Sequence, residues 1–77
     1  MQTSLPVLIV EEGKFDGHNV ELSKRDEEYF LGVLKDHGCD ELKKVLVLTV
    51  DGKGKAYLQF KGEKYQVFEL NWEETLW

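Results

Sequence analysis

Residues 45–60, VLVLTVDGKGKAYLQF, restrict the fold of this chain more than any other stretch. Two runs of β-branched, aliphatic and aromatic residues flank Asp51-Gly52-Lys53-Gly54-Lys55. Such runs suit a pleated, half-buried surface, and glycine reaches the positive φ angles that a tight reversal needs. The segment therefore predicts an antiparallel hairpin. A hairpin alone is barely stable in water, so the rest of the chain must supply something to cover one of its faces.

The supply is limited. With 77 residues the chain forms one domain, 1–77, and a chain of this size hides only about 60–65% of the surface that it exposes when unfolded. Hydrophobic residues make up 42% and charged residues 32%, enough apolar material to offset the entropy of folding. A deep catalytic cleft would compete with so small a core.

Leu5 to Glu11, LPVLIVE, is too short for an ordinary helix and rich in β-branched residues. It reads as a strand covered on both faces and central in its sheet. Glu12-Gly13 makes a turn, Phe15 extends a short return, and Asp16-Gly17-His18-Asn19 has the composition of a loop. An amphipathic helix is expected from Lys24 to His37. Ser23 is its cap, with Asp26 completing a variant capping box, Tyr29, Phe30, Val33 and Leu34 form its apolar stripe, and Gly38 is its stop. Gly32 in mid-helix costs about 1 kcal/mol relative to alanine, which a close helix-on-sheet contact would explain. Cys39 to Lys44 suits a short helical turn with Leu42 inward, and Lys64 to Leu70 a further strand after a turn at Lys61-Gly62-Glu63. The order β-α-β-β-β favours a right-handed crossover with its two strands parallel. The expected fold is thus α/β in the α+β sense: a small mixed sheet of about four strands with one main helix on one face. Its expected core is Val7, Ile9, Tyr29, Phe30, Val33, Leu34, Val45, Val47, Leu58 and Phe68 or their strand neighbours.

No stretch assembles reactive chemistry. His37-x-Cys39, with Asp36 and Asp40 beside it, is the nearest to a metal or nucleophile cluster, but zinc needs about four converging ligands and no second Cys or His pair completes the set. A thiol nucleophile needs a base within hydrogen-bond reach, and His37 lies across a helix-ending glycine from Cys39. The 51–55 loop has lysines where a calcium loop has carboxylates and no following helix to make a phosphate loop. Glu11-Glu12, Glu27-Glu28 and Glu73-Glu74 are neighbours whose side chains diverge. No enzyme activity, cofactor or metal is expected. Fifteen acidic against ten basic residues give a formal charge of −5, which opposes nucleic-acid binding, and Lys53, Lys55, Lys61 and Lys64 read as turn lysines that keep edges soluble. The single Cys39 points to a reducing compartment, and no apolar run approaches the roughly 20 residues that span a bilayer. A cytoplasmic location without direct membrane insertion follows. The aromatic tail 71–77, NWEETLW, offers Trp72, Leu76 and Trp77 either as a lid on one end of the sheet or as an interaction surface.

PVLIVEEGKF at 6–15, LGVLKDHGCDELKKV at 31–45 and LTVDGKGKAYLQ at 48–59 together resemble the cytoplasmic domain of YetF-like bacterial membrane proteins, a family of unknown function. The matching positions are Pro6 with Leu8 and Ile9 before Gly13, Leu34-Lys35 before Gly38, Glu41-Leu42 before Val45, and Asp51 before Gly52. Glu12 stands where the family often has asparagine, and Lys35 where it has arginine. The resemblance implies a cytosolic domain, possessed in the family by membrane-anchored proteins, that packs against copies of itself or a sister subdomain, with no catalytic residues to carry over. The leading expectation is a non-enzymatic protein-protein interaction or self-assembly module. Its rivals are a small ligand-binding or thiol-dependent enzyme domain at His37 and Cys39, and an acidic, antitoxin-like inhibitor of a basic protein.

Overall fold

The computed structural model describes residues 5–70 and residue 72. Five strands form one sheet: β1 Val7–Glu11, β2 Lys14–Phe15, β3 Val45–Val50, β4 Lys55–Phe60 and β5 Gln66–Glu69. They lie in the order β2-β1-β3-β4-β5, every neighbouring pair antiparallel. The fold is α+β, as expected. The parallel crossover and four-strand sheet are not found, and β3, not β1, is central.

Two helices, not one, explain the reversal. Asp16 to Asn19 is no loop: Asp16 caps α1, Gly17–Leu22, by accepting the Asn19 amide at 3.0 Å. Ser23 ends that helix instead of starting the next, its buried hydroxyl donating to the Val20 carbonyl at 2.6 Å. Lys24 then takes a positive φ of 64°, which breaks the helical path. Asp26 restarts it, accepting the Tyr29 amide at 2.8 Å, and α2 runs Glu27–Asp36. One crossover helix would return the chain to the starting end of β1. Here α2 begins beside Trp72 at one end of the sheet and finishes near Lys43 and Phe60 at the other, so β3 enters against β1.

The core lies between the helices and one sheet face. Ile9, Phe30, Val33, Leu34, Val45 and Leu58 are buried as anticipated. Tyr29 and Phe68 pack at its rim, and Val7 and Val47 are only half-buried. Val10, Val20, Leu48, Val50, Ala56 and Trp72 join it. Two irregularities of register account for the changes in the strands. The extra residue at Ile9 in β1 places Ile9 and Val10 both in the core, and the one at Leu46 in β3 shifts the inward set from Val45 to Leu48 and Val50. Consecutive burial in β1 therefore arises from a bulge and not from two covered faces.

The β1–β2 and β3–β4 turns depend on positive φ. Glu12 and Gly13, at 48° and 79°, make the two-residue turn between β1 and β2, with Gly13 so close to the Lys43 backbone that a Cβ would stand 2.8 Å from its Cα. In the β3–β4 turn, one Asp51 carboxylate oxygen accepts the Lys53 and Lys55 amides at 2.9 and 3.0 Å, and Gly54 takes a φ of 91°. Leu42–Lys44 is the expected short helical turn, in 3-10 form.

Candidate functional site

The sequence nominates the tail, and the structure places Trp72 inside the chain's own core. Only 8% of it is exposed, its Nε1 donates to the Tyr29 hydroxyl at 2.9 Å, and the Arg25 guanidinium lies 4.0 Å from its ring centroid. The backbone of Gly54 packs against its Cβ, while the Leu70 amide donates to the Gly54 carbonyl at 2.7 Å. Trp72 thus closes the end of the sheet where the β3–β4 turn and the start of α2 meet. Leu76 and Trp77 lie outside the described residues.

The His37 and Cys39 segment lines a surface hollow of about 810 Å³ together with Asp40, Lys43, Lys44, Phe60 and Lys61. The His37 and Cys39 side chains bond to the backbone, not to each other. His37 stacks on Phe68, with centroids 3.6 Å apart at 15°, and its Nδ1 lies 2.8 Å from the Val33 carbonyl. A carbonyl only accepts, so Nδ1 carries the proton there. The Cys39 thiol donates to the Glu41 carbonyl at 3.2 Å, and desolvation raises its pKa, the opposite of what a thiolate nucleophile needs. Two of the cations at the mouth are matched: Lys44 sits 3.2 Å from Asp40 and 3.7 Å from Glu41, and Lys43 sits 3.3 Å from Glu41. The hydrogen bond and charge of Lys44 hold the Asp40 carboxyl below its usual range. Among the described residues no three His, Cys, Asp or Glu side chains converge to hold a metal ion.

The third surface was not singled out in the sequence. Cross-strand register aligns Leu8, Thr49, Tyr57 and Val67 in one row across β1, β3, β4 and β5, on the sheet face turned away from the helices. Tyr65 joins them, its ring 6.0 Å from that of Tyr57, and the Lys55 ammonium lies 5.7 Å from the Tyr57 ring. Val67, on the edge strand β5, is 45% exposed, and Tyr65, the residue just before that strand, is 63% exposed. The opposite edge strand, β2, has only two residues. What concealed this surface is parity. Alternation in KYQVFEL is plain in the sequence, but which set faces the helices depends on pairing with β4.

No helix among the described residues is long and apolar enough to cross a membrane. Comparisons with protein-family models, with curated proteins and with solved structures find no match.

Proposed function

We propose that this chain is a non-enzymatic protein-interaction module whose working surface is the helix-free sheet face together with the outer edge of β5. The exposure of Tyr65 and Val67 carries the reading. Apolar side chains on and beside an edge strand cost solubility, and their natural use is contact with another protein. The row behind them, Leu8, Thr49 and Tyr57, extends the same surface over three more strands. The resemblance to the cytosolic domain of YetF-like membrane proteins agrees with it, because it implies a domain that packs against copies of itself or a sister subdomain and brings no catalytic residues to carry over.

A second reading, small-ligand binding in the hollow at His37 and Cys39, is favoured by the hollow's size. The two separate by differential capture from an extract of the source cells. Proteins retained by the native chain are expected to be lost from a Tyr65→Lys, Val67→Lys double variant and kept by Cys39→Ser. The reverse pattern, loss with Cys39→Ser alone, overturns the interaction reading and assigns the working site to the hollow.

A further inference from the structure

The two ends of the sheet differ in what they offer a partner. At β2 there is room for little pairing, whereas β5 presents a four-residue edge that no further described strand adjoins. Antiparallel ladders alternate between bonded and non-bonded pairs. The Leu70 amide bonds to the Gly54 carbonyl, so the bonded pairs of the ladder fall at Phe68 with Ala56 and at Gln66 with Leu58. The N–H and C=O groups of Val67 and Glu69 are then the ones aimed outward, away from β4.

We infer that the occupant of this edge is a second copy of the chain, paired β5 to β5 in antiparallel sense about a two-fold axis at Val67. This rests on the interaction reading above and names its partner. Two-fold pairing brings like elements together, so the edge must be complementary to itself. With Val67 opposite its own counterpart, each Val67 exchanges both outward groups with the other, Tyr65 stands opposite Glu69, and Gln66 stands opposite Phe68. No like charges oppose. Moving the axis one residue toward the amino end, to Gln66, sets Glu69 against Glu63, which repels. Moving it the other way, to Phe68, sets Val67 against Glu69 and gives up the apolar pair. The Val67 register also continues the row Leu8, Thr49, Tyr57 and Val67 without a break into the mirror row of the partner, giving a ten-stranded sheet with that row running across its whole helix-free face. A strand edge this short buries less than the roughly 800 Å² per partner of a standard interface, so the dimer is weak and dissociates on dilution.

The test uses the full 77-residue chain in sedimentation over a wide concentration range. The apparent mass should rise twofold from the dilute to the concentrated end. Val67→Pro removes an N–H that points away from β4, so it should leave the fold intact, as read by circular dichroism, and abolish the rise. If the proline variant unfolds, Val67→Cys in a Cys39→Ser background takes its place. Bonded pairs stand about 5.5 Å apart at Cα, within disulfide reach, so mild oxidation should link it into dimers, while Tyr57→Cys, one strand further in, stays monomeric. A native chain that is monomeric at every concentration overturns the inference. So does a folded Val67→Pro chain that still doubles in mass, or a Tyr57→Cys chain that links as readily as Val67→Cys. A monomeric native chain whose captured proteins still depend on Tyr65 and Val67 removes the self-pairing alone and leaves the interaction reading standing.

Discussion

Gly54 and Gly32 are the same residue type under opposite demands. Gly54 has a φ of 91°, and a Cβ there would run into the Leu70 carbonyl and stand 3.2 Å from the Trp72 Cβ. Gly32 lies exposed on α2 with open space where a Cβ would go, so the close helix-on-sheet contact expected from its position is not present. Gly54→Ala should therefore destabilise the chain by about 2 kcal/mol or more, from backbone strain and loss of the Leu70 and Trp72 packing. Gly32→Ala should stabilise it by about 1 kcal/mol through helix propensity. Urea melts of the two variants check both signs, and equal effects would show that the turn tolerates a side chain. Ser23 teaches a similar lesson. Its place before a run of acidic residues suits a helix start, yet its side chain is buried and bonded backwards to Val20.

Among the elements, the helical region shows where local signals compete. Asp16, Ser23 and Asp26 are all residues that cap helices, and a sequence offers no way to rank them without knowing which backbone amides are left over. The structure uses Asp16 and Asp26 as amino-terminal caps, one per helix. Because Asp26 is exposed and, among the described residues, no other side chain accepts an α2 amide, Asp26→Ala should cost about 1 kcal/mol and shift the unfolding midpoint without disturbing α1. Asp16→Ala should cost a similar amount, and the two should add, since the caps serve different helices. Strong coupling between them in a double-mutant cycle would mean that α1 and α2 form and melt as a single helix. The strands were simpler to recognise than to orient. Val45 to Val50 and Lys55 to Phe60 are strands as their composition demands, but the bulge at Leu46 resets which residues point inward.

At the scale of the whole molecule, the sheet is protected unevenly. β3 is flanked by β1 and β4 and carries buried Val45, Leu48 and Val50, while β5 has one neighbour among the described residues. Amide exchange should be slowest in β3 and fastest, among strand residues, at Val67 and Glu69 in dilute solution. Exchange at Val67 as slow as at Leu48 under those conditions would contradict an open edge. The sequence by itself determined the local repertoire: a hairpin around Asp51 to Lys55, a turn at Gly13, and an apolar helix stripe through Phe30, Val33 and Leu34. Each depends on neighbours within a few residues, where glycine's φ freedom, capping and periodicity act directly. Only the tertiary structure decided that β1 and β3 run antiparallel, that Trp72 belongs to the core, and that Tyr65 and Val67 lie exposed at the β5 end of the sheet. Those outcomes rest on which strand pairs with which and in what register, and a single extra residue in β1 or β3 moves side chains between the covered and the open face.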